Sequence, residues 1–161
     1  GAVWQTLQPV TDILPFNFYP VETDNWLSWM TVLSAGEIRA ALEEVLLLYG
    51  DAPIIIQELG CPSAEANNSS ESYQAQCFEI LFNTLQDYPN VRYTTVFTLF
   101  DPDDVFCGLL LEFFGGVTDD LPDVYAERWE GYLCTLGVIT PQYAPKPAWA
   151  VFLEAVASTP E

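Results

Sequence analysis

Short, saturated apolar runs alternate along this chain with stretches whose apolar residues recur at helical spacing. The first run, "DILPFNFYP" (Asp12–Pro20), is dense in aromatic and aliphatic residues and predicts a strand. From about Gly36 to Tyr49 the period changes. Ile38, Leu42, Val45 and Tyr49 fall on one helical face, Ser34 and Glu37 form a capping-box signature, and Gly50 supplies a stop. The run "PIIIQELGCPS" (Pro53–Ser63) follows, and its three isoleucines read as a strand buried on both faces. A second helix begins near Ser70, carries Tyr73, Cys77, Leu81, Leu85 and Tyr88, and is stopped by Pro89. β-Branched and aromatic residues in "RYTTVFTLFDPDD" (Arg92–Asp104) predict a third strand. Residues 105–123, with "FFGG" and "TDDLPD", read as a long loop excursion. Helical spacing returns through Tyr125, Trp129, Leu133 and Leu136, and a last helix opens at Pro147 with Trp149, Phe152 and Val156.

Strands interleaved with helices predict an α/β fold with parallel pairing and right-handed crossovers. The strand ends fall near Tyr19, Glu58 and Phe100, an even spacing that suits three to four successive βα units in one domain over residues 1–161. Residues 1–11 fit either a short extra strand or the tail of a preceding helix. A closed eight-fold barrel typically needs about 250 residues, so the units make either a partial (half) TIM barrel or a small open sheet. No glycine-rich phosphate loop follows any strand, which disfavours nucleotide binding.

Charge narrows the partners. Against 23 acidic residues stand four basic ones (Arg39, Arg92, Arg128, Lys146), for a formal net charge of −19. Such a field repels nucleic acid and anionic membranes, whereas a neutral carbohydrate suffers no penalty. High salt or low pH as a working environment fits too, as does a surface that is acidic merely for solubility. No apolar run is long enough to span a bilayer. The chain has no histidine and no paired CxxC, so neither a metal nor a cofactor is expected. Cys61, Cys77, Cys107 and Cys134 permit three disulfide connectivities, or remain buried thiols. Two overlapping sequons at Asn67 and Asn68 agree with an oxidising, extracellular setting.

Functional groups in parallel α/β folds collect where strands end. That rule selects Asn17 and Tyr19, Gln57 and Glu58, then Asp101, Asp103 and Asp104. Glu58 is the sharpest, because a carboxylate after three isoleucines needs hydrogen bonds or a partner. Its alternative role is to cap the amides of "GCPS". The aspartates of "DPDD" are equally suited to starting a turn or capping a helix. Tyr19 serves as a core aromatic or as a neighbour of Glu58. Trp26 and Trp29, directly after the first strand, could form a sugar-stacking wall. Lys146, between two prolines at a helix start, reads as a solvated terminus.

These segments resemble a known family. "PIIIQELGCPS" resembles the seventh strand of the clan of retaining glycoside hydrolases whose catalytic glutamates end strands four and seven of a (β/α)8 barrel. "FNFYP" resembles the end of its sixth strand, "VFTLFDPDD" its eighth, and "CTLGVITPQYAPKPAWAVF" the closing segment that leads into the final helix. The resemblance covers Asp12 to Phe152. It implies that Glu58 holds the nucleophile position, that Tyr19 hydrogen-bonds it, and that Asn17 lines a subsite. The clan's acid/base glutamate lies on a strand that has no counterpart here, and Val96–Phe100 lacks the tryptophan many members carry. The resemblance therefore implies a C-terminal half-barrel with little or no hydrolysis alone. Its edges would be covered by a second copy or by a complementary half-barrel chain. The alternatives are a non-catalytic carbohydrate-binding or structural half-barrel that self-associates, and an unrelated acidic α/β domain.

Overall fold

The computed structural model describes residues 5–6, 10–114 and 122–158. Strand β1 (Leu14–Phe18) leads through a 3-10 turn at Trp26–Ser28 to helix α1 (Ala35–Tyr49). Strand β2 (Ile54–Leu59) is followed by a second 3-10 turn, Glu65–Asn67, and helix α2 (Glu71–Leu85). After β3 (Val91–Val96) come α3 (Asp104–Phe114), α4 (Asp123–Cys134) and α5 (Pro147–Ser158). Both strand pairs are parallel, in the order β1-β2-β3. The result is an α/β fold in which an unclosed sheet is covered by helices, as in part of a TIM barrel.

Local chemistry accounts for most of the helix boundaries. The Ser34 amide donates to the Glu37 carboxylate at 2.9 Å, completing the capping box of α1, and Gly50 ends that helix at φ 61°. Ser70 Oγ accepts from the Tyr73 amide at 3.1 Å to cap α2. Ile38, Leu42 and Leu46 of α1 and Phe78 and Leu81 of α2 bury their side chains against Ile54, Ile56 and Leu59. Helix α2 in turn packs on α5.

One irregularity decides where the polar groups of the sheet point. The β1–β2 register runs Phe16↔Ile56 and then Asn17↔Glu58, so Gln57 is passed over. Side chains alternate along a strand, and one extra residue reverses that alternation. Ile54, Ile56 and Leu59 therefore all face the helices and are fully buried, while Ile55 and Glu58 share the other face with Pro15 and Asn17. Tyr93, paired with Ile55, is 62% exposed on that face. The burial of β2 is thus one-sided, not two-sided as its isoleucines suggest.

Two expectations are corrected beyond β2. The third strand ends at Val96 rather than running to Asp104, and the chain continues through an isolated bridge between Phe100 and Ile139. The excursion expected over residues 105–123 begins instead with helix α3. Asp103 starts that helix, its Oδ1 accepting from the Phe106 amide at 2.8 Å. Residues 115–121 lie outside the described set. A disulfide between Cys107 and Cys134 joins α3 to α4, whereas Cys61 and Cys77 are buried free thiols. Helix α3 leaves Val105, Phe106, Leu109, Phe113 and Phe114 exposed.

Candidate functional site

At the C-terminal end of β2, Glu58 Oε2 accepts from the Tyr19 hydroxyl at 2.7 Å and from Asn17 Nδ2 at 2.8 Å. The bulge sets this arrangement, since it places Asn17 beside Glu58 on the helix-free face. Glu58 is in no ion pair among the described residues. Two neutral donors therefore solvate its carboxylate without cancelling its charge. Burial, and then the bond to Glu58, push the Tyr19 phenol well above its ordinary value, so it stays a donor.

Tyr19 is wedged in place. A Cβ on Gly60 would lie 2.7 Å from Tyr19 Cε1, so only glycine fits beneath the ring. Phe97 meets it edge-on with centroids 6.5 Å apart, and Tyr132 does so at 5.3 Å. Tyr132 is a site residue that sequence reasoning missed. A signal was present: Tyr125, Trp129 and Tyr132 recur at helical spacing, which marks one aromatic face of α4. Tyr132 stacks on Trp129 at 5.7 Å, and Trp129 stacks on Trp29 at 6.0 Å.

That stack changes the expected role of Trp29. Its ring packs against Trp129 and meets Tyr125 edge-on at 6.0 Å, in a support rather than a freestanding wall. Arg128 Nη1 holds the backbone there, donating to the carbonyls of Leu27 at 3.0 Å and Trp29 at 3.3 Å. Trp26 opens the 3-10 turn, and its side chain lies outside the described set.

The two aspartates expected beside the substrate are engaged elsewhere. Asp101 is buried and pairs with Lys146, Oδ2 to Nζ, at 2.5 Å. Its Oδ1 accepts from the Gly137 amide, and Lys146 also donates to Ser63 Oγ at 2.9 Å. Burial pushes the Asp101 carboxyl up, and Lys146 and the Gly137 amide pull it back. Lys146 is therefore a buried partner, 3% exposed, and not a solvated terminus. Asp103 spends its carboxylate on capping α3.

Asn67 is fully buried, and its amide donates to the carbonyls of Met30 at 2.7 Å and Arg128 at 2.9 Å, so the folded chain offers no acceptor there for a glycan. Asn68 is exposed and keeps its sequon accessible. Among the described residues no cluster of three or more His, Cys, Asp or Glu side chains could hold a metal, and no helix is long and apolar enough to cross a membrane.

No family model and no curated protein matches the chain. Its fold is similar to those of solved glycoside hydrolases. A β-glucuronidase from Bifidobacterium dentium superposes with a TM-score of 0.63 at 16% identity, covering 94% of this chain and 21% of that one. A GH2 β-galacturonidase from Eisenbergiella tayi gives 0.59 at 15%, covering 93% and 24%. The GH5_18 protein of Streptomyces cattleya gives 0.53 at 23%, covering 79% and 27%. At these identities the likeness shows the fold. The chain spans about a quarter of the length of each.

Proposed function

We propose that this chain is the C-terminal portion, about strands six to eight, of a retaining (β/α)8-barrel glycoside hydrolase of the clan with catalytic glutamates on strands four and seven. Its ligand is a carbohydrate, and Glu58 holds the nucleophile position. One observation carries the reading: Glu58 stands at the end of a parallel strand, on the helix-free face, held by Tyr19 and Asn17 and by no cation among the described residues. A retaining mechanism needs a carboxylate nucleophile on one side of the sugar and a protonated carboxyl group about 5–5.5 Å away. Asp101 and Asp103, the carboxylates predicted nearby, are committed to Lys146 and to the α3 cap. On this reading the acid/base partner comes from a strand outside Asp12–Phe152 and these residues alone hydrolyse little or nothing, which the engagement of Asp101 and Asp103 supports. The exposed disulfide-bonded helix α3 and the open sheet edges favour association with a second copy or a complementary half-barrel chain. The disulfide and the accessible Asn68 sequon favour an extracellular setting.

The same engagement of Asp101 and Asp103 favours, as a second reading, a half-barrel that binds carbohydrate without cleaving it. Assay of a panel of aryl glycosides decides the catalytic part. We expect background release from both the chain and Glu58→Gln. Rapid release abolished by Glu58→Gln would overturn the claim that the acid partner is missing. Sedimentation is expected to show a species larger than one chain, and a clean monomer would remove the self-association.

A further inference from the structure

We infer that this chain carries a single N-linked glycan, on Asn68, and that the fold excludes Asn67 although both open a sequon. The sequons overlap in "NNSS": Ser69 completes that of Asn67, and Ser70 that of Asn68. The inference rests on the extracellular setting proposed above, which the Cys107–Cys134 disulfide supports without the sequons. Attachment joins the side-chain amide nitrogen to the anomeric carbon of an oligosaccharide carried on a lipid pyrophosphate. The bond from that carbon to the pyrophosphate oxygen breaks, the amide gives up one of its two protons, and lipid pyrophosphate leaves. The modified nitrogen keeps one N–H and has to direct a bulky sugar into solvent.

The two asparagines meet that demand in opposite ways. Asn67 is fully buried and uses both amide protons, one for the Met30 carbonyl at 2.7 Å and one for that of Arg128 at 2.9 Å. Its own carbonyl accepts from the Val32 amide at 2.8 Å, and Gly131 lies so close to its Oδ1 that a Cβ there would not fit. Asn67 is thus the joint between the β1–α1 loop, the β2–α2 loop and α4, and a sugar on it would break one of these bonds and open the joint. Asn68 closes the 3-10 turn in the left-handed conformation, φ 53° and ψ 38°, which asparagine tolerates. Its backbone amide donates to the Glu65 carbonyl at 2.9 Å, whereas its side chain is exposed and holds no hydrogen bond among the described residues.

The serines let each sequon be removed without unfolding the chain. Ser69 Oγ is buried and has no hydrogen-bond partner among the described residues, so Ser69→Ala gives up nothing the fold uses. Ser70 Oγ caps α2, and Ser70→Asp keeps an acceptor there while ending the Asn68 sequon. The full chain is secreted from an N-glycosylating eukaryotic host, and the glycans are released by an amidase in heavy-oxygen water, which turns each glycosylated asparagine into labelled aspartate. One glycan is expected, with the label on Asn68. Ser69→Ala is expected to keep it in full and Ser70→Asp to lose it, circular dichroism reporting that both are folded. Folded, secreted chain that is labelled at Asn67 or bears no glycan overturns the proposal, as does a glycan that survives in Ser70→Asp. A glycan on Asn68 in a chain whose four cysteines all alkylate would instead sink the disulfide argument for the extracellular setting and leave the site assignment standing.

Discussion

Glu58, the penultimate residue of β2, and Asp101, beyond the end of β3, are both carboxylates at the C-terminal side of parallel strands, and the protein uses them in opposite ways. Asp101 is buried against the Lys146 ammonium and the Gly137 amide, so its charge is cancelled and its geometry ties the exit of β3 to the start of α5. Glu58 is half-buried and held by a phenol and an amide, so its charge survives and faces the open side of the sheet. Position at a strand end does not by itself make a residue functional. The chemistry of its partners does: a cation makes a carboxylate a fastener, and neutral donors keep it available.

The comparison predicts a steep gradient of stability effects. Lys146→Met leaves Asp101 buried without its cation and should cost about 3–5 kcal/mol in denaturant melts. The double variant with Asp101→Asn should recover most of that loss, and a cost under about 1 kcal/mol for Lys146→Met would mean the pair is solvated. The next effect is alkaline. Tyr19 and Tyr132 have folded-state values raised above the ordinary tyrosine value of about 10. Their contribution is whole below that value and drains as pH climbs above it, because the unfolded chain ionises first. Phenolate absorbance should account for fewer than the eight tyrosines until circular dichroism reports unfolding. Titration of all eight in a folded chain would contradict the burial of the pair.

Asp103→Ala should cost about 1 kcal/mol, the usual loss of a helix cap, and should leave the Glu58 site untouched. Glu58→Gln should have the smallest effect, within about 1 kcal/mol of zero, because the amide oxygen still accepts and the acidic chain loses one repelling charge. A loss as large as that of Lys146→Met would place Glu58 among the fasteners and erase the contrast.

The rhythm of strands and helices was legible because each element carries its own period, cap or stop, as Ser34, Glu37 and Gly50 do for α1. The grouping of Asn17, Tyr19 and Glu58 was legible for a similar reason, since parallel strands bring successive strand ends together. The bulge at Gln57 was not, because a register shift is a property of two strands and leaves no mark on one. The same holds for the Asp101–Lys146 pair and the burial of Asn67, which depend on contacts between distant segments. In α3, the glycines and the acidic stretch beyond Phe114 drew attention from a sound helical run with its own cap. Tyr132 was hidden because α4 reads as a packing face, which it is, and its contact with Tyr19 joins segments far apart in the chain.

The most direct measurement is amide and side-chain resonance mapping of the folded chain as neutral mono- and oligosaccharides are added. Perturbations are predicted at Asn17, Tyr19 and Glu58, with Ser63, Asp101 and Lys146 unmoved. Saturable shifts centred on Asp101 and Lys146, or none anywhere across the panel, would contradict the assignment of Glu58 as the carboxylate kept for a sugar.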